Sequence, residues 1–146
     1  MDDVIKKLQT PEDCFRFIDK YSELISQARQ RAIDLKMGKH QDNKEVEKEL
    51  LKAIYAYEEI LTKRNGRRTR ANRTWQMVQR HGIKGAAERA VNRPVDPIGY
   101  TSLIEMGFEN LTFEAVILRF PGDFSAEAVN KSRERIETLE KSLGKK

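Results

Sequence analysis

The sequence predicts an all-α protein, and three observations carry the prediction. Apolar residues recur at alternating steps of four and three over long stretches, which places them on one side of a helix. Only eight glycines and four prolines interrupt 146 residues, so long unbroken segments are expected. Charged residues make up 35% of the chain and hydrophobic ones 38%. With the usual charged share at about 25%, that balance suits amphipathic helices with wide wet faces better than a thick α/β core.

The length fits one domain with one core. We expect residues 1–146 to form a single helical domain in three parts: a long antiparallel helical hairpin over 1–63, a basic helical segment over 64–94, and short apolar helices with a long C-terminal helix over 95–146.

In "QTPEDCFRF", Thr10 is placed as the N-cap and Pro11 at the first helical position, with Glu12 and Asp13 facing the positive end of the helix dipole. Cys14, Ile18, Tyr21, Ile25, Ala28, Ala32 and Leu35 then form a heptad seam, widened by Phe17 and Leu24, that Gly38 stops. A helix over 11–37 would be roughly 40 Å long at 1.5 Å per residue. Asp42 with Glu45 reads as a capping-box start for the next helix, whose seam is Val46, Leu50, Ala53, Tyr57 and Ile60, running to Asn65-Gly66. The short polar loop between them implies the hairpin. Leu51, Ile54 and Leu61 add a second apolar strip.

Beyond Gly66, Ala71, Trp75 and Val78 share one helical face, with Arg73, Gln76 and Arg80 roughly opposite. "HGIKG" breaks that helix. Ala86, Ala87, Ala90 and Val91 bury the next one, leaving Arg89 and Arg93 exposed up to the stop at Pro94. "GYTSLIEMG" reads as a short helix ended by Gly107. "NLTFEAVILRFPG" is apolar nearly all round and belongs at the centre; its 113–118 run suits a strand or a helix, and helix is preferred because no partner strand is visible. Ser125 caps a last helix with its own seam of Val129, Ser132, Ile136, Leu139 and Leu143, and "GKK" is expected to fray.

Charge is segregated along the chain. Between Thr62 and Pro94 ten Lys or Arg face one acid, Glu88, while the segments on either side each carry −2. A polarised surface attracts a polyanion or an acidic partner. Eight of the ten cations are Arg, whose planar fork grips phosphate with two prongs. The competing reading is a solvated face balanced by acids from the long helices, in "EVEKE" and "YEE".

A helix-turn-helix over 74–93, with Gly82 at its ninth position, places Met77, Ile83 and Val91 well. His81 and Glu88 fall where apolar residues are needed. Trp75 suits core packing better than base stacking. His81 with Arg80 and Glu88 sketches a phosphodiesterase, without a second nearby His or a clustered Asp pair for a metal. Gly82 and Gly85 lack the Gly-Lys-Ser/Thr pattern of a phosphate loop. Cys14, the only cysteine, is a reduced core thiol that excludes an internal disulfide, and His40 lies in a polar loop with no evident role.

The expected function is therefore non-catalytic binding of nucleic acid, DNA before RNA and duplex before single strand. Arg64, Arg67, Arg68, Arg70, Arg73, Arg80, Lys84, Arg89 and Arg93 would contact phosphates, and 66–70 would order on the polyanion. No catalytic residue, metal or cofactor is assigned. The alternative is a helical adaptor or dimerisation module for an acidic partner, using the Leu51, Ile54, Leu61 strip and the Val129 to Leu143 seam. Heptad seams of this kind also suit a homodimer. With neither a secretory signal nor a membrane span, a cytoplasmic location is expected.

Overall fold

The computed structural model of the chain describes residues 1–144; the fraying expected of the last two lysines lies outside them. The protein is all-α. Its helices are α1 (Asp3–Lys6), α2 (Pro11–Lys36), α3 (Glu45–Asn65), α4 (Asn72–Ala90), α5 (Pro97–Glu105), α6 (Phe113–Arg119) and α7 (Ala126–Ser142), and no strand occurs among the described residues. Residues 113–118 are thus helical. Two compact units result, Met1–Leu35 and Lys36–Lys146.

The first unit is nearly all α2. The Thr10 hydroxyl accepts a hydrogen bond from the Asp13 N–H at 3.1 Å, the cap that the sequence requires. α1, a single turn capped by Asp2, has no apolar periodicity to announce it. The α2 seam is largely open to solvent: Ile18 is 55% exposed, Ile25 50% and Leu35 62%, and Phe15 and Leu24 beside it are exposed too. Ile33, off the seam, is the one buried residue of this helix. The helix ends without a left-handed glycine. It tightens into a 3-10 turn, Met37–His40, that contains Gly38.

In the second unit α3 is the central element, in contact with α4, α5 and α6, while α6 lies along α7. Ten of its 21 residues are buried, and Leu50, Ile54 and Ile60 are almost fully enclosed. Its start falls two residues later than Asp42 suggests: Lys44 is the N-cap, and the Glu47 carboxylate reaches back to the Lys44 N–H at 3.0 Å. Gly66 closes it with φ of 70° and an N–H bond to the Thr62 carbonyl. Both strips of α3 are used in this core, since Leu51 and Ile54 are buried and Leu61 is half-buried. The α7 seam is used as well, with Ser132 and Leu139 buried. Of the strips that an adaptor would use, Leu51, Ile54, Ser132 and Leu139 are thus buried, while Leu61, Val129, Ile136 and Leu143 are half-buried.

α4 is two helical pieces, 72–81 and 83–90, meeting at Gly82, whose φ of 75° and ψ of 169° are essentially restricted to glycine. A Cβ on Gly85 would stand 3.0 Å from the His81 Cβ, so the second glycine of "HGIKG" lets the pieces approach closely. α5 begins earlier than expected, at Pro97, because the Asp96 carboxylate caps it through the Gly99 N–H at 3.0 Å. Ser125 caps α7 through Ala128 N–H at 3.1 Å.

Candidate functional site

Buried carboxylates at the end of α3 hold the basic segment. Glu58 is 4% exposed, and its Oε2 accepts from the Ala71 N–H at 2.9 Å and from Trp75 Nε1 at 2.8 Å. Lys36 Nζ lies 3.7 Å from its other oxygen. The Trp75 ring packs against Tyr55, with centroids 5.4 Å apart, and the Arg70 guanidinium lies 6.0 Å from the Trp75 ring centre. Trp75 is therefore a packing residue whose polar edge is satisfied inside. A burial-period pattern indicates the packing; the carboxylate that receives the indole has no local signal.

The loop from Gly66 to Ala71 is tied down. Thr69 N–H donates to the Thr62 hydroxyl at 3.0 Å, and its own hydroxyl donates to the Arg67 carbonyl at 2.8 Å. Arg68 grips Glu59 with both terminal guanidinium nitrogens, and this hydrogen bonding to the carboxylate raises its pKa. Instead of waiting for a polyanion to order it, this loop is already organised by α3. The "YEE" acids of the competing reading do balance two arginines, Glu59 taking Arg68 and Glu58 lying 3.9 Å from Arg70.

The nine candidate cations divide into two sets. Arg64 bonds to Asp96 at 2.7 Å, Arg68 and Arg70 meet Glu59 and Glu58, and Lys84 bonds to Asp123 at 3.0 Å. Partial burial works against the charged form of Asp96, yet Arg64 and the Gly99 N–H hold its pKa below the ordinary value. A Cβ on Gly99 would meet that carboxylate at 2.6 Å, so glycine makes room for the bridge. Among the described residues, the side chains of Arg67, Arg73, Arg80 and Arg89 have no ion-pair partner, and Arg93 has no carboxylate.

Arg93 Nη2 donates to Met77 Sδ at 3.1 Å. Met77 is four residues after Arg73 and three before Arg80, so all three occupy one face of the first piece of α4. The Arg93 guanidinium thus reaches that face at the Met77 thioether. Arg93 is also held from behind. Its carbonyl accepts a hydrogen bond from Arg135 of α7, and Arg135 Nε donates to Glu114 of α6 at 2.7 Å, in a pair only 12% and 11% exposed. Nothing in the spacing around Arg93 points to Arg135, 42 residues away.

The helix-turn-helix comparison weakens here. The piece after Gly82 has Ile83, Ala86 and Ala87 buried, Lys84 paired and Glu88 bonded to the Ser125 hydroxyl, leaving Arg89 as its one exposed side chain. A helix that reads a groove needs several free side chains on its open face. His81 is exposed, and no three His, Cys, Asp or Glu groups stand together as a metal site among the described residues. His40 does have a partner: its Nε2 shares a 2.8 Å hydrogen bond with the Tyr55 hydroxyl, and burial followed by the nearby Lys39 charge lowers its pKa. A cavity of about 230 Å³ borders Arg93 and Thr74; its other charged lining residues are already paired, Glu114 with Arg135 and Asp96 with Arg64. No helix among the described residues is long and apolar enough to cross a membrane. No family model, curated protein or solved structure matches the chain.

Proposed function

We propose that the protein binds nucleic acid without catalysis, by phosphate contacts centred on Arg73, Arg80 and Arg93. The observation that carries this reading is that Arg73, Met77 and Arg80 share one face of α4, that Arg93 reaches that face at the Met77 thioether, and that none of the three arginines has a carboxylate partner among the described residues. Arg67 and Arg89 add charge that is likewise uncompensated. Arg64, Arg68, Arg70 and Lys84, which the sequence also suggests as contacts, serve first as bridges that hold the segment to α3, α5 and Asp123.

The chemistry favours duplex DNA over a single strand. Single-strand sites rely on aromatic platforms for unpaired bases. In the basic segment the one large aromatic ring, Trp75, is engaged by Glu58 and Tyr55. Phosphate contacts alone position a protein and carry no sequence information, so binding is expected to be indifferent to base sequence.

Salt titration of a labelled duplex, read by anisotropy, tests the reading. Neutralising about five phosphates gives a slope near −4.5 in log K against log salt, a loss of several hundredfold between roughly 50 and 200 mM. Replacing Arg73, Arg80 and Arg93 together by Ala should flatten that slope to about −2. A flat response in the unaltered protein, or a triple variant that binds as well as the parent, rules the reading out. A second reading, a protein-interaction module, is favoured by the exposed apolar stripe of α2.

A further inference from the structure

We infer that α2 is the docking surface for a second copy of this chain, and that the two copies of α2 pair antiparallel. The helix carries a seven-position seam over its whole length, with Ile18, Tyr21, Ile25 and Leu35 open to solvent and Phe15 and Leu24 exposed beside them. Contiguous apolar surface of this length, rimmed by charge, marks an interaction site. At 1.5 Å per residue the 26-residue helix extends about 39 Å, enough for three heptads of knobs-into-holes contact.

Charge selects the occupant. In 11–23 four acids outnumber two bases, and in 24–36 three bases outnumber one acid, so the halves carry −2 and +2. Complementing the helix dipole accounts for charges in the first and last turns, but Asp19, Glu23, Arg29 and Arg31 lie further in. A second α2 in the opposite direction matches each half with its counterpart. A parallel partner would set like halves together, with Arg31 beside Lys36 of the other helix on both sides of the seam.

Side-chain size selects the same direction. Parallel pairing stacks Ala28 on Ala28 and Ala32 on Ala32, leaving one end of the seam thin. Antiparallel pairing sets Ile18 against Ala28 and Tyr21 against Ile25, and it places Cys14 opposite Ala32. Phe15 and Phe17 then flank Arg29 and Arg31 of the other copy, where ring faces attract guanidinium groups. Phe17 already stacks on Tyr21 with centroids 4.2 Å apart, which holds that end of the stripe in shape.

The lone cysteine makes the direction measurable. Antiparallel pairing keeps the two copies of Cys14 about 27 Å apart, whereas a disulfide needs Cα atoms within about 7 Å. Light scattering on the full chain from about 1 to about 100 µM should show a concentration-dependent rise toward twice the 17.0 kDa chain mass. Mild oxidation of the unaltered chain should give no covalent dimer. Ala32→Cys, with Cys14 retained, should give one in high yield. The double change Ile18→Asp and Ile25→Asp should stay monomeric at every concentration with its helical circular dichroism intact. A monomeric parent chain, a dimer that persists in the double variant, or ready Cys14 to Cys14 cross-linking overturns the proposal. Because these measurements use nuclease-treated protein and no nucleic acid, their failure leaves the phosphate-binding reading untouched.

Discussion

α2 and α3 carry the same alternation of apolar residues at steps of four and three, and their fates differ. α3 has ten buried residues and α2 one. The difference lies in width and company. α3 presents two adjoining strips, so that α4, α5 and α6 can each cover part of it. α2 presents one stripe bordered by charge. Periodicity reports which residues share a side of a helix, whereas cover depends on elements remote in sequence.

The sharpest way to break this contrast is to truncate matching residues. Ile54→Ala in α3, at a site with no exposure, should cost about 3 kcal/mol in urea unfolding. Ile25→Ala in α2 should cost less than about 0.5 kcal/mol at concentrations where the chain is monomeric. Similar losses at both sites would mean that α2 is covered after all.

Next in size is the carboxylate that joins α3 to the basic segment. Glu58→Ala leaves the Ala71 N–H and the indole N–H without their acceptor, and we expect a loss of roughly 2 kcal/mol, visible in the urea midpoint. Gly82→Ala should follow at about 1.5 kcal/mol, measured by thermal melting, because the side chain cannot adopt the backbone angles that join the two pieces of α4. A smaller cost would show that α4 can straighten.

The sign reverses at Ser132. Its buried hydroxyl has no hydrogen-bond partner among the described residues, so Ser132→Ala should stabilise the fold by up to about 1 kcal/mol. Loss of stability there would reveal a partner for the hydroxyl. The smallest expected effect is a pH dependence. The His40 pKa is lowered in the folded protein, so the unfolded chain takes up its proton first. Stability should therefore be complete above pH 6.5, the ordinary histidine value, and decline as pH falls from 6.5 through the folded value. His40→Gln should flatten that part of the profile in pH-dependent melting curves.

Much of the fold was legible because helix boundaries are written locally. Thr10, Ser125 and Gly66 each act at their own position, and the spacing of Leu50, Ala53 and Ile60 needs no distant information. The start of α5 was missed because Asp96 caps it from within a segment that reads as a proline-bounded loop. The site was legible as a charge distribution and less so as a surface. Composition identifies Arg64 and Arg73 as equals, yet Asp96 takes the first and no carboxylate among the described residues takes the second. Such pairing can reach far along the chain, 32 positions for Arg64 and Asp96 and 70 for Arg119 and Glu49, and no periodicity encodes it.

The indole of Trp75 rests between a buried acid and an arginine of the basic segment, and no other tryptophan exists in the chain. Ultraviolet emission thus comes with a single assigned fluorophore, seated where a shift of Arg70 or a disturbed Glu58 would change its colour or brightness. The chain carries its own optical gauge of that neighbourhood, and a titration with any ligand can be followed without attaching a dye.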